Sequence, residues 1–325
     1  MKYIYLDQNK WIELARGINE KKLEYVKLYN NIMRKINEGE WAFLLSSIHI
    51  NETMKRKDVI SRKKLLDLMY LISKGYAICD YMTADTMEFN YWVKNKSVDC
   101  SKLRNGIIRK DWATLIGLSS ENPIIQFQDS NYSLDKFIEV KKIIRNHCCD
   151  REIFDEICNL FCEDIIEDED YYYSCFVKGR NSFQSWKEEI SKLEVYKDKH
   201  VYPAYLYRVF MENYKDKILS LNSEMKKNLI NIFKANSKNK TTAIANLESL
   251  PGFNIHNRLV YELYNNPDKK VHRHDFNDLA YLRIAVPYCD IVIGEKYWCD
   301  RINNYKFNEK YNTIVITKLF DLISQ

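Results

Sequence analysis

Near the start of the chain, four apolar residues, Tyr3-Ile4-Tyr5-Leu6, stop at an acid, Asp7, and Gln8-Asn9-Lys10-Trp11 follow. A short unbroken apolar run predicts a strand buried on both faces, as in a parallel sheet. The acid then stands at the strand's carboxyl end, where open parallel sheets bind their ligands. Outward from there, Trp11, Leu14, Ala15, Ile18, Leu23, Val26, Leu28, Ile32 and Ile36 give helical spacing from Lys10 to about Asn37. Trp41 to Leu45 reads as a second strand, and Ser46 or Ser47 as the cap of a helix carrying Glu52. A helix from Arg62 to Ser73 and a third strand from Tyr76 to Cys79 complete a β-α-β-α-β order, which calls for crossover connections and parallel strands.

From Asp80 to Val271 strand signals nearly vanish and helical spacing dominates, as in Ile153, Ile157, Phe161 and Ile165. Strands return at Asp290 to Ile293 and Thr313 to Ile316, after a helix predicted from Asn277 to Val286. Asp275 and Asp278 resemble a capping pair for that helix, and Pro287 marks its end. The architecture expected is an α/β fold with a parallel sheet formed by both chain ends, residues 1–80 and 271–325, and a helical insertion over 81–270. Composition agrees with a helix-rich chain: 8 Gly and 5 Pro among 325 residues leave few turns, while 46% apolar residues supply a core.

A net charge of +5 permits approach to a polyanion but falls short of a basic nucleic-acid-binding signature. The apolar run before Asp7 is too short for a signal peptide and no stretch is long enough to span a bilayer, so a soluble cytoplasmic protein with no membrane partner is expected. Nine cysteines without framework spacing suit reduced thiols. His147, Cys148, Cys149, Cys158 and Cys162 crowd together, but Cys158 and Cys162 share a helical face with Phe154, Phe161 and Ile165, which favours packing over zinc.

The acids at strand and helix ends carry the chemistry. Asp7 follows the first strand, Glu52 lies on the helix after the second, Asp278 opens the helix before the fourth, and Glu295 follows that strand. Convergent carboxylates repel unless a cation sits among them. A hard divalent ion, Mg²⁺ or Mn²⁺, answers this with a few carboxylates plus waters, and can activate water at a phosphodiester.

The segments Tyr3-Ile4-Tyr5-Leu6-Asp7, Ser46-Ser47-Ile48-His49-Ile50-Asn51-Glu52, Asp275-Phe276-Asn277-Asp278 and Asp290-Ile291-Val292-Ile293-Gly294-Glu295, with a last strand at Thr313 to Ile316, resemble the motifs of PIN-like nucleases. The resemblance covers about the first eighty and last fifty residues. It implies a three-layer, Rossmann-like PIN fold and a Mg²⁺- or Mn²⁺-dependent endonuclease with Asp7, Glu52, Asp278 and Glu295 as catalytic and metal-site residues. RNA (tRNA or mRNA) is the favoured substrate, and many relatives are toxins or anti-phage defence effectors. Gly294 stands where the family has Thr or Ser, and Glu295 where Asp is commoner.

Asn9, Lys10, Lys55, Arg56, Arg273 and His274 are the candidates for gripping nucleic acid. Their bland alternative is a solvated surface, as it is for Lys57, Arg62, Lys63 and Lys64. The acidic run Glu163-Asp164 and Glu167 to Asp170 reads as solvated or as a partner contact. Further possibilities are a regulatory or inhibitory protein partner, a homo-oligomer, a DNA nuclease acting on flaps or branched ends, and an inactive scaffold whose insertion binds a protein or nucleic acid. A haloacid dehalogenase-type phosphatase is disfavoured because Asp7-Gln8-Asn9 lacks the second Asp.

Overall fold

A computed structural model describes residues 1–119, 134–163, 169–193, 197–236, 245–266, 268–272 and 274–325. The chain is a helix-rich α/β protein that divides into two compact units: Met1–Thr83, Arg104–Glu167 and Ala285–Gln325 form the first, and Ala84–Leu103 with Asp168–Ile284 the second.

The first unit begins β1 (Lys2–Leu6), α1 (Gln8–Asn19), α2 (Leu23–Asn37), β2 (Trp41–Leu44), α3 (Ser47–Met54), α4 (Val59–Ser73) and β3 (Tyr76–Ile78). The single amphipathic stretch expected over 10–37 is therefore two helices, broken where Lys21 takes a left-handed φ of 53°. After α5 (Tyr81–Asn95) and α6 (Cys100–Ile107) comes a short strand that periodicity did not reveal, β4 (Ile108–Lys110). The helices α7 (Leu134–His147) and α8 (Arg151–Glu163) follow, and β5 (Ile291–Ile293) and β6 (Ile314–Ile316) lie near the C-terminal end.

Four strands form a parallel sheet in the order β2-β1-β5-β6. β3 continues it through a parallel bridge between Leu45 and Ala77, and β4 pairs antiparallel with β3. β1 is central, so Ile4, Tyr5 and Leu6 are fully buried, as an unbroken apolar run requires. The core around the sheet takes Trp11 and Leu14 from α1, Leu28 and Ile32 from α2, Ile50 from α3, Met69 from α4 and Phe154 with Ile157 and Cys158 from α8. Those last contacts, and β4, are why the described residues 104–119 and 134–163 belong with the sheet and not with the expected insertion over 81–270.

The second unit is helical among its described residues. Phe89 and Trp92 of α5 pack with Phe183, Tyr202, Tyr205, Phe210, Tyr214 and Phe253 in an aromatic core. Within this unit the buried Glu88 accepts from the Gly252 N–H at 2.9 Å, and the half-buried Asp85 is bonded by Tyr214, Lys217 and Arg283. The helix carrying Asp278 spans His274–Tyr288, longer at both ends than the 277–286 expected. Its residues up to Ile284 belong to this unit.

Candidate functional site

The chain leaves β1 toward β2 on one side, while β5 and β6 lie on the other, so strand order reverses at the β1/β5 edge. A crevice beyond the carboxyl ends of such a pair is where this class of sheet binds ligands. The register pairs Leu6 with Ile293, and the Asp7 N–H donates to the Ile293 carbonyl at 2.8 Å. Asp7 and Glu295 thus leave adjacent strands at the same end. Each takes the N-cap position of the following helix with extended backbone, α1 for Asp7 and Lys296–Asn304 for Glu295, and neither side chain makes a capping bond.

Glu52 reaches the same neighbourhood on α3. Ser46 caps that helix in a reciprocal box, its side chain accepting from the His49 N–H and its own N–H donating to His49 Nδ1 at 3.1 Å. With Nδ1 an acceptor, the proton of the neutral ring lies on Nε2, which donates to the Leu6 carbonyl at 2.7 Å. Burial lowers the His49 pKa to about 3, so the ring is neutral at physiological pH. One turn on, Thr53 Oγ1 accepts from Gln8 Nε2 at 2.8 Å.

Asp7 is 5% exposed, and its Oδ2 has no hydrogen-bond partner. Burial first, then the charges of Glu52 and Glu295, raise its pKa from 3.8 to about 7, against the smaller opposing pulls of the Gln8 backbone N–H and Lys10. That displacement corresponds to roughly 4 kcal/mol, several times the ~0.3–1 kcal/mol that a helix N-terminus returns to an anion. Desolvation and like charge win over the helix dipole, and Asp7 with the two carboxylates that act on it makes a local acidic group.

Asn9 joins that group, donating its amide to Glu295 Oε1 at 2.6 Å. Lys10 is half-buried and pairs with Glu13 at 3.3 Å, one turn along α1. Lys55 is exposed at the end of α3, whereas Arg56 bonds Ser61 and Arg62 bonds the Met54 carbonyl, bracing the α3–α4 turn. Asp278, 6% exposed, and the exposed His274 are in the second unit. Asp275 is not the cap expected of it: the helix already starts at His274, and its carboxylate accepts from the preceding His272 N–H at 2.6 Å. Arg273 and Asp164 to Asp168 lie outside the described residues. Asp290 stands just ahead of β5, accepting from the Tyr3 N–H and from Arg104, both at 2.7 Å. Of the zinc candidates, Cys158 is buried in the sheet core and His147 bonds Asp150.

The sequence analysis singled out the acids as candidates but not His49 and Thr53. The signal available was their spacing, three before and one after Glu52, which puts all three on one helical face.

The donor set suits a hard cation in kind: carboxylates, among them a buried Asp7 oxygen with no partner. Among the described residues, however, no group of three or more His, Cys, Asp and Glu side chains is arranged to hold one ion by itself. Mg²⁺ asks for less, since it binds through one or two carboxylates and keeps several waters. Asp7, buried and with one unpartnered oxygen, is a carboxylate of the kind such an ion uses. No family model, curated protein or solved structure matches the chain.

Proposed function

We propose that this protein is a divalent-metal-dependent endonuclease of the PIN-like, three-layer type, acting on RNA. The observation that carries the reading is a buried carboxylate, Asp7, with an unpartnered oxygen and two further acids acting on it, at the strand-order switch of a parallel sheet. Such a group is unfavourable unless something cationic completes it. Asp7 and Glu52 would hold Mg²⁺ or Mn²⁺, with Glu295 beside them, and the ion would supply the charge stabilisation that phosphodiester hydrolysis needs. The chain's own residues do the rest. Asn9 fixes Glu295, the neutral His49 anchors α3 to the end of β1, and Lys10 lowers the cost of ionising Asp7. Asp278, the fourth acid of the resemblance, belongs to the same proposal and is tested by its own variant.

Purified protein with Mn²⁺ should cleave RNA in an EDTA-sensitive manner, and Asp7→Asn and Asp278→Asn should each lower the rate by at least a hundredfold. Cleavage that survives Asp7→Asn sinks the assignment. Matched DNA substrates run alongside distinguish the flap or branched-end reading. The absence, among the described residues, of a three-ligand group favours one second reading, a non-catalytic scaffold. A scaffold would show no divalent-cation stabilisation that Asp7→Asn removes.

A further inference from the structure

We propose that His49 and Thr53 form a two-point clamp that holds Glu52 opposite Asp7, which makes them, with Gln8, positioning residues of the acidic site. The inference deepens the functional reading above and rests on Asp7 and Glu52 working as a pair. His49, Glu52 and Thr53 stand at i, i+3 and i+4 on α3, so they share a face. The two bonds from that face land on either side of Asp7 in the chain: His49 Nε2 on the Leu6 carbonyl at 2.7 Å, and Thr53 Oγ1 on the Gln8 amide at 2.8 Å. The residue between the two anchors is Asp7, and among the charges acting on it that of Glu52 is the largest.

Capping alone does not account for this arrangement. A capping box needs an acceptor at the third helical position, a task Glu or Gln performs with nothing left over. The His ring spends its second nitrogen on the end of β1. Tyr5 holds the ring in place, stacked on it at 4.7 Å with its hydroxyl 2.9 Å from Ser46 Oγ. His49, Thr53 and Gln8 are all buried, where an apolar trio would pack without fixing orientation. Two like charges push α3 away from α1, and directional bonds between the same elements resist that push.

The test is a set of double-mutant cycles on the whole protein in EDTA at pH 8.5, read by urea unfolding. Wild type, Asp7→Asn, Glu52→Gln and the double variant give the coupling between the two acids. The cycle is then repeated in Thr53→Val, which keeps the side chain's shape, and in His49→Asn, which can still accept the Ser46 N–H but is too short to reach Leu6. The clamp predicts a repulsive coupling in wild type that falls by at least half in both backgrounds. Undiminished coupling in Thr53→Val, or no coupling in wild type, overturns it; should His49→Asn not fold, Thr53→Val decides. Because neither metal nor RNA is present, this outcome is independent of the nuclease reading. A parallel Mn²⁺ titration reports on the metal reading: Thr53→Val should weaken binding about tenfold in wild type and not further in Glu52→Gln.

Discussion

Asp7 links a single side chain to the pH dependence of the whole fold. Its folded pKa, about 7, lies above the 3.8 of an ordinary carboxyl, so between those values the folded state holds a proton that the unfolded chain has released. In the cation-free protein its contribution therefore falls as pH rises from about 4 to 7 and levels off above. Asp7→Asn removes this penalty while keeping size and polarity. In EDTA at pH 7.5 the variant should be more stable than wild type by about 1–3 kcal/mol, with the advantage shrinking toward pH 4.5. Urea unfolding across that range checks it, and a variant no more stable at pH 7.5 contradicts the burial argument. With Mn²⁺ at a hundred times its Kd, wild type should gain about 2.7 kcal/mol and Asp7→Asn almost nothing. Asp7 stood out as a candidate because it is an acid ending an apolar run; its raised pKa was not legible, because desolvation and the charges of residues 52 and 295 exist only once the chain has folded.

At the scale of elements, pattern and structure agree where burial is continuous or amphipathic, and part where a local event intervenes. β1, β2, β5 and β6 were readable because short apolar runs have few alternatives. β4 was not, since Ile108-Arg109-Lys110 is three residues with two charges, and only pairing with β3 makes it a strand. The hinge between α1 and α2 was likewise hidden inside a continuous apolar rhythm. That junction holds a further requirement at Gly17, where an added Cβ would lie 2.1 Å from Tyr25 Cγ, with Tyr25 bonding Glu13 back on α1. Alanine there should gain about 1 kcal/mol of helix propensity and lose more to overpacking, about 1–3 kcal/mol plus displacement of Tyr25. Gly17→Ala should therefore unfold at lower urea than wild type, and a stabilised variant would show that the ring moves freely. Ser46→Ala should cost about 1 kcal/mol through the lost cap, measured in the same way.

For the molecule as a whole, two cores imply two sites of vulnerability. Phe43 lies in the sheet core and Phe210 in the aromatic helical core. Alanine at either should cost about 3–5 kcal/mol, and native-state hydrogen exchange should show each loss concentrated in its own unit. Uniform loss across both units would mean that the division has no energetic counterpart. What the sequence by itself determined was the α/β class, the parallel strands at both ends and the predominance of helix, because these depend on local burial patterns and on residue type. The tertiary structure alone decided that β1 and β5 are neighbours, that residues 104–119 and 134–163 fall in the same unit as the sheet, and that Glu52 and Glu295 act on Asp7. Each of those facts depends on contacts between residues far apart in the chain, for which local periodicity carries no signal.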